Sequence, residues 1–343
     1  MPTVSQDYAT CLKDFFALQK FGIKFGLSST SALLHRLGNP ERDQRFVHIA
    51  GTNGKGSVAS FLAAILQAAG FRVGVYTSPH LVRFTERFHI NGQEMDQEAA
   101  VDLMRRVQQA FDPTEPPTFF EAVTAMGMLY FAGQKTDITI LETGMGGRLD
   151  ATNVITPLVS VITSISLEHQ EYLGTTLEQV AAEKAGIIKD TVPVVTAVTQ
   201  HKVRNLIQRR CAQHQAPLYI LGRDMQARVS TDRLFYRGLH TTLHTLDLGL
   251  PGRHQGRNAA LALTVSEILE DQGYMISDQA RRQGAAQALW PGRMHLLSSH
   301  PFIMLDGAHN PSAVRALTRS LQANPFYQGL ILVLGIMADK EAK

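Results

Sequence analysis

The chain has 343 residues, of which 44% are hydrophobic and 18% charged, a balance typical of a globular protein with room for about two domains. Its net charge of +3 gives no indication of a nucleic-acid partner, and no apolar segment is long enough to predict a membrane span. Cys11 and Cys211 make no disulfide framework, and the N-terminus has no secretory signal pattern, so we expect a cytoplasmic protein.

Basic residues and histidines do not gather into a recognisable site. The pairs Arg209-Arg210 and Arg281-Arg282 fall in helical patterns and are predicted to lie on solvated faces. The 13 histidines are scattered, with no CxxC and no HExxH spacing, so the sequence does not predict a zinc site.

Apolar runs of strand length alternate with amphipathic helical patterns along much of the chain. Because such alternation is typical of a parallel sheet covered by helices, we predict an α/β fold. The predicted strands are 46–50, 73–77, 137–141, 158–163 and 192–198, and the predicted helices are 57–69, 97–111, 118–132, 176–188 and 200–213.

The pattern then changes. Shorter strand-like pieces rich in Thr, His and Arg fill 217–251, and a helix is predicted at 257–270, which we interpret as a small β-rich extension of the first domain. Trp290-Pro291-Gly292-Arg293 marks a boundary, so the predicted domains are 1–289 and 290–343. The second is predicted to be an incomplete Rossmann-like α/β unit with a strand at 302–305, a helix at 311–321 and a central strand at 330–334.

Gly51-Thr52-Asn53-Gly54-Lys55-Gly56-Ser57 joins the first predicted strand to the first predicted helix. Glycines let backbone N–H groups face phosphate oxygens, and a helix N-terminus adds partial positive charge. Lys55 is placed to reach the terminal phosphates and Ser57 to ligate Mg²⁺. Ile49 replaces the first glycine of the general P-loop pattern and Gly56 interrupts it, yet we favour nucleotide triphosphate binding over an ordinary glycine-rich turn.

Polar residues follow several predicted strands, at the edge where open parallel sheets bind ligands. They are Thr77-Ser78-Pro79-His80, Glu142, Glu168-His169 and the segment 306–310. A hydroxyl, a carboxylate and an imidazole near a triphosphate have the chemistry of a Mg²⁺ shell, although Ser78 alone is equally typical of a turn and Glu142 of a cap.

Three further patterns have structural interpretations. Gly144-Met145-Gly146-Gly147 lacks the third glycine of a dinucleotide fingerprint, because residue 149 is leucine, so we reject a nicotinamide cofactor. Thr118 and Glu121 have the spacing of a capping box. Lys184 lies on an amphipathic helical pattern, and from the residues alone we interpret it as a surface lysine paired with a neighbouring glutamate, Glu178 or Glu183.

Together these motifs resemble the folylpolyglutamate synthase and dihydrofolate synthase branch of the Mur ligases, over essentially the whole chain. The resemblance is carried by 51–57, 77–81, Arg83-Phe84, Glu86-Arg87, 142–153, 183–189, 290–293 and Asp306-Gly307-Ala308-His309-Asn310.

The resemblance implies sites for ATP and for two Mg²⁺ ions. Residues implied to hold ATP are Gly54, Lys55, Gly56 and Ser57 on one side of a cleft and Asn258, Arg293 and Asp306 on the other, with His309 beside them. The first Mg²⁺ would be held by Ser57, Ser78 and Glu142, and the second by Glu142, His169 and a carbamylated Lys184.

The resemblance also implies a pterin-bearing substrate. Its expected contacts are Phe120, Glu121, Leu149, Asp150, Ala151 and the loop from Thr77 to Phe84, including Ser78 and Arg83, with the segment 21–27 a weaker match.

The implied reaction transfers a phosphoryl group from ATP to the substrate carboxylate, and the amine of L-glutamate then attacks the acyl phosphate. The catalytic set would be Lys55, Glu142, His169, Lys184 and His309 in a monomer that acts on dihydropteroate, reduced folates or both. The alternatives are a cell-wall Mur ligase, a phosphotransferase that stops at the phosphorylated acid, and a shortened chain that binds ATP or folate with impaired turnover.

Overall fold

The computed structural model describes residues 4–22, 24, 26–230, 233–322 and 329–335; Ile23 and Phe25 of the weakly matching segment 21–27 lie outside that part. An eight-stranded sheet forms its centre, in the order β4-β3-β2-β5-β1-β6-β7-β8. Its strands are β1 Phe46–Ala50, β2 Val73–Tyr76, β3 Phe88–Ile90, β4 Gln93–Glu94, β5 Ile138–Glu142, β6 Val159–Ile162, β7 Val194–Thr196 and β8 Leu218–Ile220.

The six neighbouring strands β2, β5, β1, β6, β7 and β8 are parallel. The strands β3 and β4 are antiparallel and lie at the edge beside β2. The central strand β1 is entirely buried, with Ile49 aligned between Glu142 of β5 and Val161 of β6. Because parallel strands covered on both faces are apolar throughout, the continuous apolar runs of the sequence predicted this arrangement correctly.

Helices cover both faces of the sheet. They are α1 Val4–Ala17, α2 Ser28–Arg36, α3 Lys55–Ala68, α4 Gln97–Gln109, α5 Phe119–Gly133, α6 Gln170–Leu173, α7 Leu177–Lys184, α8 His201–Gln213, α9 Gln255–Asp271, α10 Asp278–Gln287 and α11 Pro311–Gln322. Short 3₁₀ turns lie at Leu18–Phe21, Phe84–Arg87, Ala151–Val154 and Ala185–Ile187. None of the helices in the described part combines the length and apolar character that crossing a bilayer requires.

The helix α3 is the most deeply buried element next to the glycine loop. Phe61, Leu62, Ile65 and Leu66 are fully buried between the sheet and the helices α9 and α10. A Cβ on Gly284 of α10 would lie 2.3 Å from the Cα of Ile65, so only glycine permits this close crossing. The loop before α3 therefore sits on a rigid support.

The β-rich extension predicted from the sequence is present, and its strands are antiparallel. Strands β9 Gln226–Ser230, β10 Arg233–Arg237 and β11 Thr242–Asp247 form a three-stranded sheet against α9 and α10. The buried carboxylate of Glu267 accepts hydrogen bonds from the Tyr236 hydroxyl at 3.0 Å and from the backbone N–H of Leu239 and of Thr241, both at 2.8 Å. These bonds attach the extension to α9.

Arg281 corrects one expectation from the sequence. Its side chain is buried on α10, where it donates to Ser266 Oγ at 2.9 Å and to Asp278 at 3.0 Å and forms an ion pair with Glu270. The two carboxylates compensate the buried charge. The prediction that Arg281 lies on a solvated face is therefore wrong. The neighbouring Arg282 is exposed, as predicted.

The C-terminal unit begins with an antiparallel hairpin of β12 His295–Ser299 and β13 Phe302–Leu305, followed by α11. The strand predicted at 330–334 is wrong: residues 329–335 form no strand, and Leu330 to Leu334 are 64 to 93% exposed. An apolar run becomes a buried strand only beside a partner strand, and none of the described strands pairs with this one.

Candidate nucleotide and acceptor site

Lys55 is the first residue of α3 and lies at the carboxyl end of β1. Gly54, immediately before it, has a φ of +92°, in the left-handed region that favours glycine. The Nζ of Lys55 donates to the carbonyl oxygen of Gly51 at 3.0 Å and lies 3.8 Å from Oε1 of Glu142. The lysine is thus held over the loop, beside a buried carboxylate.

Two glycines of the loop are required by close neighbours. A Cβ on Gly54 would lie 2.6 Å from Oδ1 of Asn258, and a Cβ on Gly56 would lie 2.7 Å from the indole nitrogen of Trp290. Gly56, which departs from the general P-loop pattern, is therefore where the loop receives Trp290. These contacts bring two predicted nucleotide-side segments, α9 and the 290–293 motif, against the loop.

The segment after β6 holds the loop in place. Thr52 N donates to the carbonyl of Ser164 at 2.8 Å, and the carbonyl of Asn53 accepts from the hydroxyls of Thr163 at 2.7 Å and Ser164 at 3.0 Å. The sequence analysis missed these residues, whose one signal is a run of small hydroxyl side chains after a buried strand.

Glu142 is the last residue of β5, one position within the strand rather than after it as predicted. Burial raises the pKa of its carboxyl group, and the positive charges of Lys55 and Arg293 and a hydrogen bond from the backbone N–H of Ser78 oppose that rise. The structure therefore brings the ends of β2 and β5, the glycine loop and the 290–293 motif together around one carboxylate.

Lys184 is buried, so the interpretation as a surface lysine is wrong. Its side chain is 2% exposed and its Nζ lies 2.5 Å from Oε1 of Glu168, in the segment after β6. Burial lowers the pKa of Lys184 to about 8, although the Glu168 carboxylate opposes the shift. Of the two partners proposed from the sequence, Glu183 pairs instead with Arg148 at 2.9 Å.

The same segment places His169 beside this buried pair. His169 is exposed, with a φ of +43°, and is the N-cap residue of α6. Its positive form lowers the pKa of Glu168, as does the charge of Lys184, while burial of Glu168 opposes both. Glu168, which the sequence analysis noted but gave no role, is the residue that contacts Lys184.

The C-terminal unit contributes Asp306 and its neighbours. The carboxylate of Asp306 accepts from the backbone N–H of Met294 and of Ala308, both at 2.8 Å. His309 is exposed, and its Nδ1 lies 2.8 Å from the carbonyl of Gly307. These bonds fix the turn that follows β13 against the 290–293 motif.

Asn310 joins this turn to the glycine loop. Its Nδ2 donates to Oδ1 of Asn53 at 2.8 Å, and Asn53 Nδ2 donates back to Asn310 Oδ1 at 3.1 Å. Asn310 Oδ1 also accepts from the backbone N–H of Ala313 in the first turn of α11 at 2.9 Å. The amide pair is a direct link between the two parts of the chain.

The predicted capping box at the start of α5 is confirmed. Thr118 Oγ1 accepts from Glu121 N at 3.3 Å, and Glu121 Oε2 accepts from Thr118 N at 2.7 Å. The other carboxylate oxygen, Oε1, is buried without a hydrogen-bond partner in the described part of the chain. Phe120 packs against Gly144, where a Cβ would lie 2.4 Å from its ring.

Asp150 is a second buried carboxylate on this side. It accepts from Thr152 Oγ1 at 2.5 Å and from Met145 N at 2.8 Å, which places Leu149 and Ala151 on either side of a fixed turn. Thr152 Oγ1 in turn lies 2.8 Å from Nε2 of the fully buried His48 on β1. Because the hydroxyl donates to Asp150, it accepts from Nε2–H of a neutral His48.

The loop after β2 carries two arginines in different surroundings. Arg83 is exposed and donates to Glu94, with Nη2 at 2.7 Å from Oε2. Arg87 is buried and its Nε donates to Nδ1 of His80 at 2.9 Å. Thr77 N donates to the carbonyl of Arg87 at 3.1 Å, which keeps the two ends of this loop together.

Comparison with known proteins identifies the family. Residues 49–266 match the Mur ligase middle domain and residues 292–343 match the Mur ligase glutamate ligase domain. The dihydrofolate synthase/folylpolyglutamate synthase of Bacillus subtilis is 41% identical over 94% of this chain and 77% of its own length. The chain belongs to this branch of the Mur ligases.

Solved structures of this branch share the fold. The apo form of L. casei FPGS matches with a TM-score of 0.87 at 34% identity, over 92% of this chain and 80% of that one. E. coli FolC in complex with DHPP and ADP matches with a TM-score of 0.85 at 36% identity, over 95% of this chain and 76% of that one. The resemblance drawn from the sequence is therefore confirmed, as is the α/β fold of this Mur ligase chain.

Proposed function

We propose that this chain, an ATP-dependent ligase that adds glutamate to folate-type acids, works through an acyl phosphate formed beside Lys55. The observation that carries the proposal is the position of Lys55: it heads α3 at the end of β1, with its Nζ 3.8 Å from the buried Glu142. A cation held at a helix N-terminus beside a carboxylate supplies what a nucleotide triphosphate and its counter-ion require.

The phosphate-binding role falls to the backbone N–H groups of Gly54, Lys55, Gly56 and Ser57. We propose that Lys55 neutralises charge on the terminal phosphates while the substrate carboxylate attacks the γ-phosphorus in line with the departing ADP oxygen. Asn258, Arg293 and Asp306 would contact the nucleotide from the far side, and the contact of Asn258 with Gly54 supports that placement. His309, exposed at the same turn, stays a predicted member of this set.

Mg²⁺, when bound, neutralises phosphate charge and orients the transferred group. The donors around Glu142 fit it, because Ser57, Ser78 and a carboxylate offer hard oxygen ligands, and Mg²⁺ commonly keeps waters and uses only one or two carboxylates. Among the described residues, no three His, Cys, Asp or Glu side chains form a group that could hold a metal ion. A second ion at Glu142, His169 and a carbamylated Lys184 stays a prediction. Burial, which lowers the pKa of Lys184 to about 8, favours the neutral amine from which a carbamate forms, whereas the ion pair with Glu168 opposes it.

The acceptor side lies around α5 and the Asp150 turn. We propose that the pterin-bearing acid contacts Phe120, Glu121, Leu149, Asp150 and Ala151, because the buried Oε1 of Glu121 accepts no hydrogen bond from the described protein and suits an N–H donor of a ligand. Dihydropteroate, a reduced folate or both are the proposed acceptors. A monomeric state, a cytoplasmic location and a division of the chain at residue 290 remain predictions.

The test measures ADP release from ATP with dihydropteroate or tetrahydrofolate, each with and without L-glutamate. We expect release that requires both the acid and glutamate, together with a product heavier than the acceptor by one glutamyl residue. Release without glutamate would favour a phosphotransferase. No magnesium-dependent ATP binding to folded protein would overturn the proposal.

The carbamate has a separate test. Lys184→Ala should lower ligation, and a short-chain carboxylic acid should restore part of it if a carboxylate at this position is what the ion requires. Loss without rescue, in a variant that still binds ATP, would contradict a carbamate.

A further inference from the structure

Arg87 is a buried cation without an anionic partner. It is 6% exposed, and no Asp or Glu oxygen of the described residues lies within ion-pair distance of it. Its Nε donates to His80 Nδ1 at 2.9 Å and its guanidinium carbon lies 5.5 Å from the centre of the Phe119 ring. Neither contact supplies a negative charge. Because a buried unpaired charge is costly, the surroundings of Arg87 are suited to an anion that arrives with a ligand.

Arg83, four positions earlier, shows what a satisfied arginine in this loop looks like. Its side chain is 60% exposed and its guanidinium forms ion pairs with Glu94 at 2.7 Å and Glu86 at 3.6 Å. Its hydrogen-bonding capacity is thus used at the surface by the protein itself. Of the two arginines in one motif, only Arg87 lacks a protein carboxylate.

The terminal nitrogens of Arg87 are the part of its side chain that the described residues leave without a hydrogen bond. No described residue accepts a hydrogen bond from either of them, and neither is among the fully enclosed polar atoms that lack a partner. Among the described residues, only Nε has a hydrogen-bond partner. The two terminal nitrogens, whose fork matches a carboxylate in two parallel hydrogen bonds, therefore have no described protein acceptor.

The position of Arg87 lies between the acceptor side and the phosphate side. Phe119, which its guanidinium faces, stands next to Phe120, and the ring of Phe16 stacks on Phe119 with centroids 5.3 Å apart. On the other side, Arg87 is bonded to the loop after β2: its carbonyl accepts from Thr77 N at 3.1 Å and its Nε donates to His80. The backbone N–H of Ser78 in the same loop donates to Glu142. An aromatic acid lying along these rings would direct its carboxylate toward Arg87 and the glycine loop.

We propose that Arg87 binds the carboxylate of the acceptor, the group that is phosphorylated, through its two terminal guanidinium nitrogens. The inference rests on the proposed function and adds to it a residue that selects an organic carboxylate. Arg87 exchanges no proton and forms no covalent bond; it holds the acid with one carboxylate oxygen toward the γ-phosphate. The expected ligand class is an aryl or γ-glutamyl carboxylate attached to a pterin.

The test is equilibrium binding of dihydropteroate and of its carboxamide, in which the charge is removed, to the full chain and its variants. Arg87→Met should weaken dihydropteroate binding by about 10- to 100-fold, the loss of a charge-assisted pair, and should change carboxamide binding by no more than about twofold. Arg87→Lys should recover part of the lost affinity, because it restores the charge without the fork. Arg105→Met is the matched control and should change neither affinity, because Arg105 is an exposed arginine of α4 that pairs with Asp7 at 2.9 Å and belongs to neither side of the site.

Equal weakening of both ligands by Arg87→Met would show that Arg87 only shapes the site, and no weakening would also overturn the inference. Unchanged ATP binding and circular dichroism show that the variant is folded, and Arg87→Gln replaces it if it is not. Binding of neither dihydropteroate nor tetrahydrofolate by the unaltered chain would overturn the proposed function itself. If the unaltered chain binds dihydropteroate but Arg87→Met weakens dihydropteroate and its carboxamide equally, only the role of Arg87 is overturned.

Discussion

The proposed nucleotide side and the proposed acceptor side of the site are built differently. On the nucleotide side, backbone and glycines dominate: Gly54 and Gly56 leave no space for a Cβ, and the carbonyl of Asn53 is held by two hydroxyls. On the acceptor side, buried side chains dominate, with Glu121 and Arg87 each retaining unused hydrogen-bonding atoms. The loop on the first side is held by contacts within the protein, whereas the second side has polar atoms that no described residue uses and that a ligand is proposed to bind.

Lys184 should give the largest effect on stability. In the chain without the carbamate, Lys184→Met removes the positive partner of the mostly buried Glu168 and should lower the free energy of unfolding by about 3 to 5 kcal/mol. Urea denaturation measures the loss. Adding Glu168→Gln to Lys184→Met should recover much of it, because an uncompensated charge is then absent; no recovery would show that packing and not charge dominates.

Lys55 should give the largest effect on activity with little effect on stability. Lys55→Ala should lower glutamate-dependent ADP release by about 10²- to 10³-fold, because it removes one positive group from the transferred phosphate. Its side chain is 15% exposed and bonds only to loop carbonyls and Glu142, so thermal unfolding should change little. Turnover at the unaltered rate would contradict the phosphate-binding role.

Gly56 tests whether the nucleotide side is set by close packing. Gly56→Ala would place a Cβ 2.7 Å from the Trp290 indole nitrogen and should cost about 1 to 3 kcal/mol of stability and weaken ATP binding. Calorimetry with ATP and thermal unfolding measure both. Trp290→Leu in the same chain should relieve part of the cost. If the effects of the two substitutions on stability simply add, the contact between residues 56 and 290 is not the cause.

His48 should give the smallest effect at neutral pH, because its contribution to stability changes only when the pH falls below about 6.5. Burial lowers its pKa to about 3 from an ordinary value of 6.5, with a further contribution from the charge of Lys189. The unfolded chain therefore binds a proton below about pH 6.5 that the folded chain does not, so this contribution to stability is present above pH 6.5 and is lost as the pH falls toward 3, by at most about 1.4 kcal/mol per pH unit.

The control for His48 is His48→Gln, which retains a donor toward Thr152. Unfolding by urea at pH 7 and pH 5 should show a smaller loss of stability on acidification in this variant than in the unaltered chain. Equal losses would mean that other groups carry the acid sensitivity.

The glycine loop and its strand were predictable because their signals are local. The apolar run before Gly51, the lysine and the helical spacing after it define β1, the loop and α3 without knowledge of any other part of the chain. Glu142 was found for a related reason, since parallel strands end at one edge. The elements α1, α2, α6, β3, β4 and β12 were not predicted, and α10 was predicted only as a helical pattern around Arg281-Arg282.

Burial of charged residues was not predictable, because partners distant in the sequence determine it. Lys184 contacts Glu168, and Arg281 contacts Glu270. The helical spacing of the sequence placed both cations at the surface, although both are buried. The apolar strand predicted at 330–334 failed for the converse reason, as none of the described strands lies beside it. Arg87 was part of a recognised motif, yet only the structure distinguishes it from Arg83.

The reciprocal amide pair of Asn53 and Asn310 has a mechanical consequence. Two half-buried hydrogen bonds between neutral groups contribute only about 1 to 3 kcal/mol in total, far less than the packing of the central sheet against its helices. The two bonds therefore orient the start of α11 toward the phosphate loop, and breaking them costs little free energy. A ligand that forms a hydrogen bond with the Asn53 amide would compete with Asn310 and so favour the state in which the Asn53–Asn310 pair is broken.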